Sequence, residues 1–439
     1  MNKIKNRRQF LQKLGLISLA TSTGAALPMA TFGQLDENTF GFKQGSANLK
    51  IFNGRVITPY RILSQGTVVV KEGKIAEVTD KNIEVPGAIE IDAKGQYITP
   101  GFVDLHVHGG GGNSFLDGTV DAFLKVAEAH ARHGTTSLYP TAVSGELEEL
   151  YKNLDVFDQA SKNNEFGAQM LGVFLEGPYY SMDNRGAQDP RYIRDPDPKE
   201  YMEILSRTSA IKRWDSAPER QGALEFARYI RSKGVLPSMG HTSAVYEDVM
   251  VAFENGYTLA THLYSGMAGV TRRDSFRFAG GVESAYLIDE MSVEMIADGK
   301  HLPASLLKLI YQTKGADKIA MVTDAMRAAG TSDTESILGS REKGLEVIIY
   351  NGVAMLPDKS SFAGSVATAD RLVRTVRELA EVPITDAVRM MTITPANIMG
   401  VSDRKGSLVP GKDADILIFD EDIQIDKTII KGKIIYNKG

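Results

Sequence analysis

Eight times between residues 99 and 403, a short apolar run gives way to a segment with helical periodicity. The runs fall near 101–106, 135–139, 170–175, 211–216, 235–239, 257–261, 293–296 and 319–323. Between them, TVDAFLKVAEAHARHG and QGALEFARYIRSKG place apolar residues on one helical face and end in glycine. Strands that alternate with helices pair in parallel, because each helix returns the chain to the starting edge of the sheet. Eight such units close on themselves, so the pattern predicts an α/β fold with a (β/α)8 TIM-type barrel over 99–403.

Both flanks read differently. TVVVKEGKIAEVTD holds two β-rich runs split by Glu72-Gly73, a hairpin signal. The end of the chain, GSLVPGKDADILIFDEDIQIDKTIIKGKIIYNKG, has the same character. Residues 48–98 and 404–439 are therefore expected to pair into one small β-sandwich formed from both chain ends. A chain of 439 residues has room for a large barrel and such a module.

The first residues are unlike the rest. Lys3, Lys5, Arg7, Arg8 and Lys13 meet no acid and precede a mildly apolar Gly/Ala/Ser stretch. Residues 1–33 resemble a twin-arginine export signal, which implies an exported, periplasmic protein, or a cytoplasmic one where the segment is not used. The stretch is too short and too interrupted for a permanent membrane span. Losing its five cations takes the net charge from −5 to about −10, which argues against nucleic acid as a partner. The chain has no cysteine, so any metal must be held by His, Asp or Glu.

A barrel of this kind builds its active site where the strands end. The first run ends in His106-Val107-His108, the third in VFLEGPYY with Glu176, the fifth in LPSMGHTSA with His241 and the sixth in TLATHLYSGM with His262. The seventh leads to IADGKH, with Asp298 and His301, and the eighth to AMVTDAM, with Asp324. Five of the seven histidines thus reach one rim together with carboxylates. Residues two apart on a strand share a face, so His106 and His108 can grip one ion. Glycines 109–112 then let backbone pass close by. His130 and His133 sit three apart on a helical segment, near its basic end, and read as structural. Imidazole and carboxylate suit zinc or iron, and also cobalt or nickel. Such an ion lowers the pKa of a bound water from about 15.7 toward about 7. A carboxylate beside that water, Asp324, takes its proton and passes it to a leaving amine. This is hydrolysis of an amide-like bond.

LEGPYY, RGAQDPRYI, GHTSA, THLYSGM, IADGKHLP, VTDAM and FAGS stand in the order found in the N-acetylglucosamine-6-phosphate deacetylases of the amidohydrolase superfamily, which this chain resembles over roughly 48–439. The resemblance implies a barrel with a small β-sandwich, a homodimer, and removal of a sugar N-acetyl group as acetate. It implies that Glu176, His241 and His262 hold the principal divalent metal ion, that His106 and His108 hold a second where one is kept, that Asp324 is the general base and acid, and that His301 contacts the sugar. Two motifs depart from the family's pattern. The family's Gly-Ala-His is here Gly186-Ala187-Gln188, whose amide can donate to a carbonyl oxygen but cannot become cationic. The family's Asn-Ala is Ser265-Gly266. Where the family keeps a phosphate-binding arginine, TRRDSFRFAGG offers Arg272, Arg273 and Arg277. The substrate expected is N-acetylglucosamine-6-phosphate or a related N-acetylhexosamine. Two alternatives are an N-acyl amino acid or dipeptide hydrolase of the same superfamily, and a non-catalytic exported sugar-binding protein.

Overall fold

A strand buried on both faces must be apolar or internally bonded along its whole length, and the barrel strands follow this rule. In the computed structural model, which describes residues 48–439, the first barrel strand is Phe102–Val107 and all six residues are buried. The segment read as an export signal lies outside the described residues. The second to eighth strands are Thr135–Val143, Val173–Glu176, Ile211–Ser216, Leu236–Met239, Leu259–Ala260, Ser292–Met295 and Ile319–Met321. Each pairs in parallel with the next. The ring is completed just beyond the strands, where Val107 bridges Ala325 and the Asp324 N–H donates to the His106 carbonyl at 2.9 Å.

The sixth and eighth strands stop earlier than the apolar runs suggest. His262 and Asp324, just beyond the two runs, adopt positive φ, 28° and 47°, so the chain has left the extended conformation there. Helices follow every strand. The first, Val120–Arg132, begins where the Thr119 hydroxyl accepts the Ala122 N–H, and closes toward Gly134. Among the described residues, no helix is long and apolar enough to cross a membrane.

The chain ends meet in one eight-stranded sheet. Its path runs Lys433–Asn437, Ile425–Ile430, Ile416–Phe419, Tyr97–Pro100, Leu49–Ile57, Ile62–Lys71, Lys74–Thr79, with Ile89–Asp92 beside Leu49–Ile57. Tyr97–Pro100 joins the two ends: it pairs antiparallel with Ile416–Phe419 and parallel with Leu49–Ile57. Ile75 and Ile429, from opposite regions of the path, share one apolar cluster with Val68, Val70, Ile98 and Ile416, so the sheet folds over on itself as a sandwich does. One element has no counterpart in the sequence reading. Between the eighth strand and helix Ala369–Ala380 stands a three-stranded antiparallel sheet, Glu335–Leu338, Leu345–Tyr350 and Val353–Met355.

Candidate metal centre

Parallel strands deliver their C-terminal ends to one rim, and six side chains gather there. His106, His108, Glu176, His241, His262 and Asp324 all lie within three residues of a strand end, and none is more than 6% exposed. They form two groups, His106 with His108 and Asp324, and Glu176 with His241 and His262. Within each group the candidate ligand atoms lie within 4.8 Å of one another. Glu176 spans both. Its Oε1 is 3.2 Å from His241 Nε2 and 3.1 Å from His262 Nε2, while its Oε2 is 3.5 Å from His108 Nε2. Asp324 is not a detached carboxylate: its Oδ1 is 3.1 Å from His108 Nε2 and 3.5 Å from His106 Nε2.

The ring orientations follow from what lies behind each imidazole. His108 Nδ1 meets the Thr141 carbonyl at 3.3 Å, and His241 Nδ1 meets the Asn184 carbonyl at 2.9 Å. His106 Nδ1 meets Glu294 Oε2 at 3.3 Å. A carbonyl or an ionised carboxylate only accepts, so each Nδ1 carries the proton and each Nε2 turns a lone pair inward. A lone pair about 3 Å from a carboxylate oxygen is repulsive unless a proton or a cation is shared between them. The site therefore fits a cation by its donor chemistry, and the inward nitrogens fit a metal ion in particular.

The electrostatics agree. Burial pushes the Glu176 carboxyl up, but hydrogen bonds to His241 and His262 and the charge of the first-strand imidazoles hold it well below the ordinary range. Burial pushes His262 down, but Glu176 outweighs it and raises the imidazole to about 9. Burial also opposes ionisation of Asp324, and His106 and His108 hold it low nonetheless. His108 is raised by Asp324 against its own burial. Ionised carboxylates among imidazoles make a place that protons and a divalent ion compete for. Positive φ recurs here: His241, His262 and Asp324 adopt 46°, 28° and 47°, a conformation uncommon for residues with a Cβ and concentrated at functional sites.

The glycines after His108 serve approach. A Cβ on Gly109 would stand 2.4 Å from the Asn113 carbonyl oxygen and 2.9 Å from the Arg327 backbone nitrogen. The loop therefore lies flat against the segment that follows Asp324, with Gly109 N–H donating to the Ala325 carbonyl at 2.9 Å.

The remaining sequence-derived candidates lie around this centre. Gln188 is already engaged: its amide N–H donates to Glu176 Oε2 at 2.8 Å and its oxygen accepts the Ser144 N–H at 3.0 Å. One of its two amide hydrogens is thus given to a carboxylate. His301 Nδ1 pairs with Asp298 at 2.9 Å, and its ring packs on Phe362. Ser265 donates its N–H to the His262 carbonyl, and the Gly266 carbonyl accepts the Thr242 N–H beside His241. Arg273 and Arg277 project from an exposed hairpin, Thr271–Arg273 with Phe276–Phe278, and are not in the six-residue cluster. His130 donates to the Gly109 carbonyl at 2.9 Å, burial holding its pKa near 4, and His133 pairs with Asp370, in keeping with structural roles. Trp214 is fully buried and stacks on Tyr179.

Four buried charged residues on the barrel strands escaped the sequence reading: Asp104, Arg213, Asp215 and Glu294, each 0% exposed. Arg213, on the fourth strand, pairs with Glu294 on the seventh, so the contact crosses the barrel interior. The available signal was charge within an apolar strand, as in IKRWDS and SVEM, where an unpaired ion is too costly to bury.

With this geometry in hand, the likeness to known proteins is specific. The sequence profile of the Amidohydrolase family matches residues 97–435. The N-acetylglucosamine-6-phosphate deacetylase of Bacillus subtilis is 30% identical over 386 residues, covering 87% of this chain and 95% of the relative. The N-acetylgalactosamine-6-phosphate deacetylase of Escherichia coli is 32% identical over 383 residues, covering 87% and 97%. The N-acetyl-D-glucosamine-6-phosphate deacetylase of Mycobacterium smegmatis, solved with N-acetyl-D-glucosamine-6-phosphate, superposes with a TM-score of 0.82 at 28% identity, covering 89% of this chain and 100% of that one. The chain belongs to the amidohydrolase family, among the N-acetylglucosamine-6-phosphate deacetylases.

Proposed function

We propose that this chain is a divalent-metal-dependent deacetylase that hydrolyses the N-acetyl group of an amino sugar, an N-acetylhexosamine 6-phosphate or its close relative, to acetate and free amine. The observation that carries the metal reading is the inward turn of the histidine Nε2 atoms, whose Nδ1 partners at His106, His108 and His241 can only accept. Glu176, His241 and His262 would hold one ion, zinc or iron by donor type, and His106 and His108 with Asp324 have the donors for a second. Such an ion, when bound, makes water a nucleophile near neutral pH and polarises a carbonyl.

The chain's own residues supply the rest. Asp324 Oδ1 accepts the proton of the attacking water and delivers it to the leaving nitrogen, so that amide and water become acetate and amine. Gln188 keeps Glu176 oriented. His301, its Nδ1–H donating to the Asp298 carboxylate, presents Nε2 as an acceptor for a sugar hydroxyl. Arg273 and Arg277 offer positive charge for a phosphate on the exposed hairpin. Assembly as a homodimer and export through residues 1–33 belong to the same proposal. They rest on the family resemblance and on the basic N-terminal sequence.

The deciding experiment measures acetate release and metal content on one sample. The substrates are N-acetylglucosamine and N-acetylgalactosamine, each with and without 6-phosphate, alongside N-acetyl amino acids. Release from a sugar, abolished by Glu176→Gln together with metal, is expected. Metal-loaded protein that cleaves only N-acyl amino acids would end the sugar reading.

A further inference from the structure

Beneath the rim, one carboxylate touches both ligand groups. Glu294, on the seventh strand, has a side chain 0% exposed. Its Oε2 lies 3.3 Å from His106 Nδ1 and also accepts the His262 backbone N–H at 3.1 Å. Its Oε1 takes the Arg213 guanidinium. Arg213 is itself pinned: its Nε donates to Ser238 Oγ at 2.8 Å, one Nη donates to Thr261 Oγ1 at 2.7 Å, and the guanidinium lies 3.8 Å over the Phe174 ring. With Oε1 committed to a donor that cannot turn, Oε2 has a fixed place.

We propose that Glu294 is a positioning residue that keeps the His106 proton on Nδ1, so that Nε2 remains a ligand, and that locks the spacing between the two ligand groups by holding the His262 backbone. The inference rests on the metal reading above, and it assigns a role to a residue that need touch neither ion nor substrate. A carboxylate behind a ligating imidazole fixes ring and tautomer, and losing one weakens metal binding about 10- to 100-fold. Here the same group also braces the strand end that carries His262.

Arg213 can only donate. In Glu294→Gln the single amide oxygen is contested by Arg213 and the His262 N–H; the charged guanidinium takes it, so the NH2 faces His106 and the His262 N–H loses its acceptor. The Nδ1 atom of His106 then becomes an acceptor, and the proton moves to Nε2. Adding Arg213→Gln lets the amide turn back and restores the original tautomer.

The test uses full-length protein with 15N-labelled histidine. Only seven histidines contribute, and His106→Ala identifies the signal. In metal-free wild type the His106 proton is expected on Nδ1. In Glu294→Gln it is expected on Nε2, with one class of zinc sites weakened about 10- to 100-fold in chelator competition. The double variant should recover both. If Glu294→Gln does not fold, Arg213→Met with Glu294→Leu removes the acceptor and leaves no lone charge, an exchange that buried ion pairs often tolerate. It should give mixed His106 tautomers and the same weakening. An unchanged His106 tautomer and unchanged zinc affinity in a folded variant overturns the proposal. Wild type that takes up no zinc, manganese or iron would sink the metal reading separately, and the tautomer comparison would still decide the role of Glu294.

Discussion

Gly109→Ala puts the arrangement around His108 under a single methyl group. The added Cβ would lie 2.4 Å from the Asn113 carbonyl oxygen and 2.9 Å from the Arg327 nitrogen, where ordinary contact begins at 3.4 Å. Both obstacles are backbone, so neither can rotate away, and about 1 Å of movement is needed on one side. Overpacking of this kind costs about 1–3 kcal/mol. Gly112→Ala, in the same run, is the control. It has a φ of 80° and nothing within 4 Å of its would-be Cβ, so it carries backbone strain of about 1 kcal/mol and no collision. The collision displaces His108 against the segment behind Asp324, whose Oδ1 is 3.1 Å from His108 Nε2. Metal ligands tolerate about 0.2 Å, so an ion proposed for His106, His108 and Asp324 should be lost while one proposed for Glu176, His241 and His262 stays. Denaturant unfolding in chelator, metal equivalents and kcat are measured on both variants. A Gly109→Ala protein as stable as Gly112→Ala, with wild-type metal content, would refute the reasoning.

Further expectations follow from the same site. Asp324→Asn should lower kcat about 10²- to 10⁴-fold with the ion at Glu176, His241 and His262 retained, as steady-state kinetics beside metal analysis would show. In the metal-free protein the raised imidazoles of His108 and His262 both contribute stability that is lost as pH rises, and the more strongly raised is His262. Its pKa is raised to about 9, so the stability it contributes is complete below about 6.5 and is lost as pH rises through 9. Unfolding free energy in chelator should fall by roughly 3 kcal/mol across that window, and a bound divalent ion should flatten the slope. Replacing Arg273 and Arg277 together by Ala should raise KM about tenfold for a 6-phosphorylated sugar and leave its unphosphorylated form unaffected. Stability should stay within about 0.5 kcal/mol, because both side chains are exposed.

How far the sequence could be read depended on whether a feature is local. The barrel was legible because its signal repeats: each apolar run carries the pattern within itself. Glu176, His241 and His262 were legible because each ends such a run. The sheet of Glu335–Tyr350 was not, since its strands are half exposed and carry Glu335 and Glu346 among apolar residues, which blurs any period. Gln188 could be located, but nothing near it in sequence says that its amide is bound to Glu176, twelve residues earlier and on another element.

The first strand shows the limit most clearly. Asp104, His106 and His108 fall at successive alternate positions, and that period is visible in GFVDLHVHG. Each reaches the interior at a different depth and meets a different strand. Asp104, its carboxyl pushed up to about 7 by burial, accepts the Thr323 hydroxyl at 2.7 Å and so fixes the residue before Asp324, 219 positions from itself along the chain. His106 meets Glu294, 188 positions away. His108 meets Thr141 behind and Asp324 in front. The two-residue repeat therefore announces three inward groups, but their roles are assigned by the closure of the ring, which puts the eighth strand beside the first and the seventh within side-chain reach. A chain with the same first strand and a barrel shifted by one residue in register would carry the same motif facing the helices, and it would bind nothing.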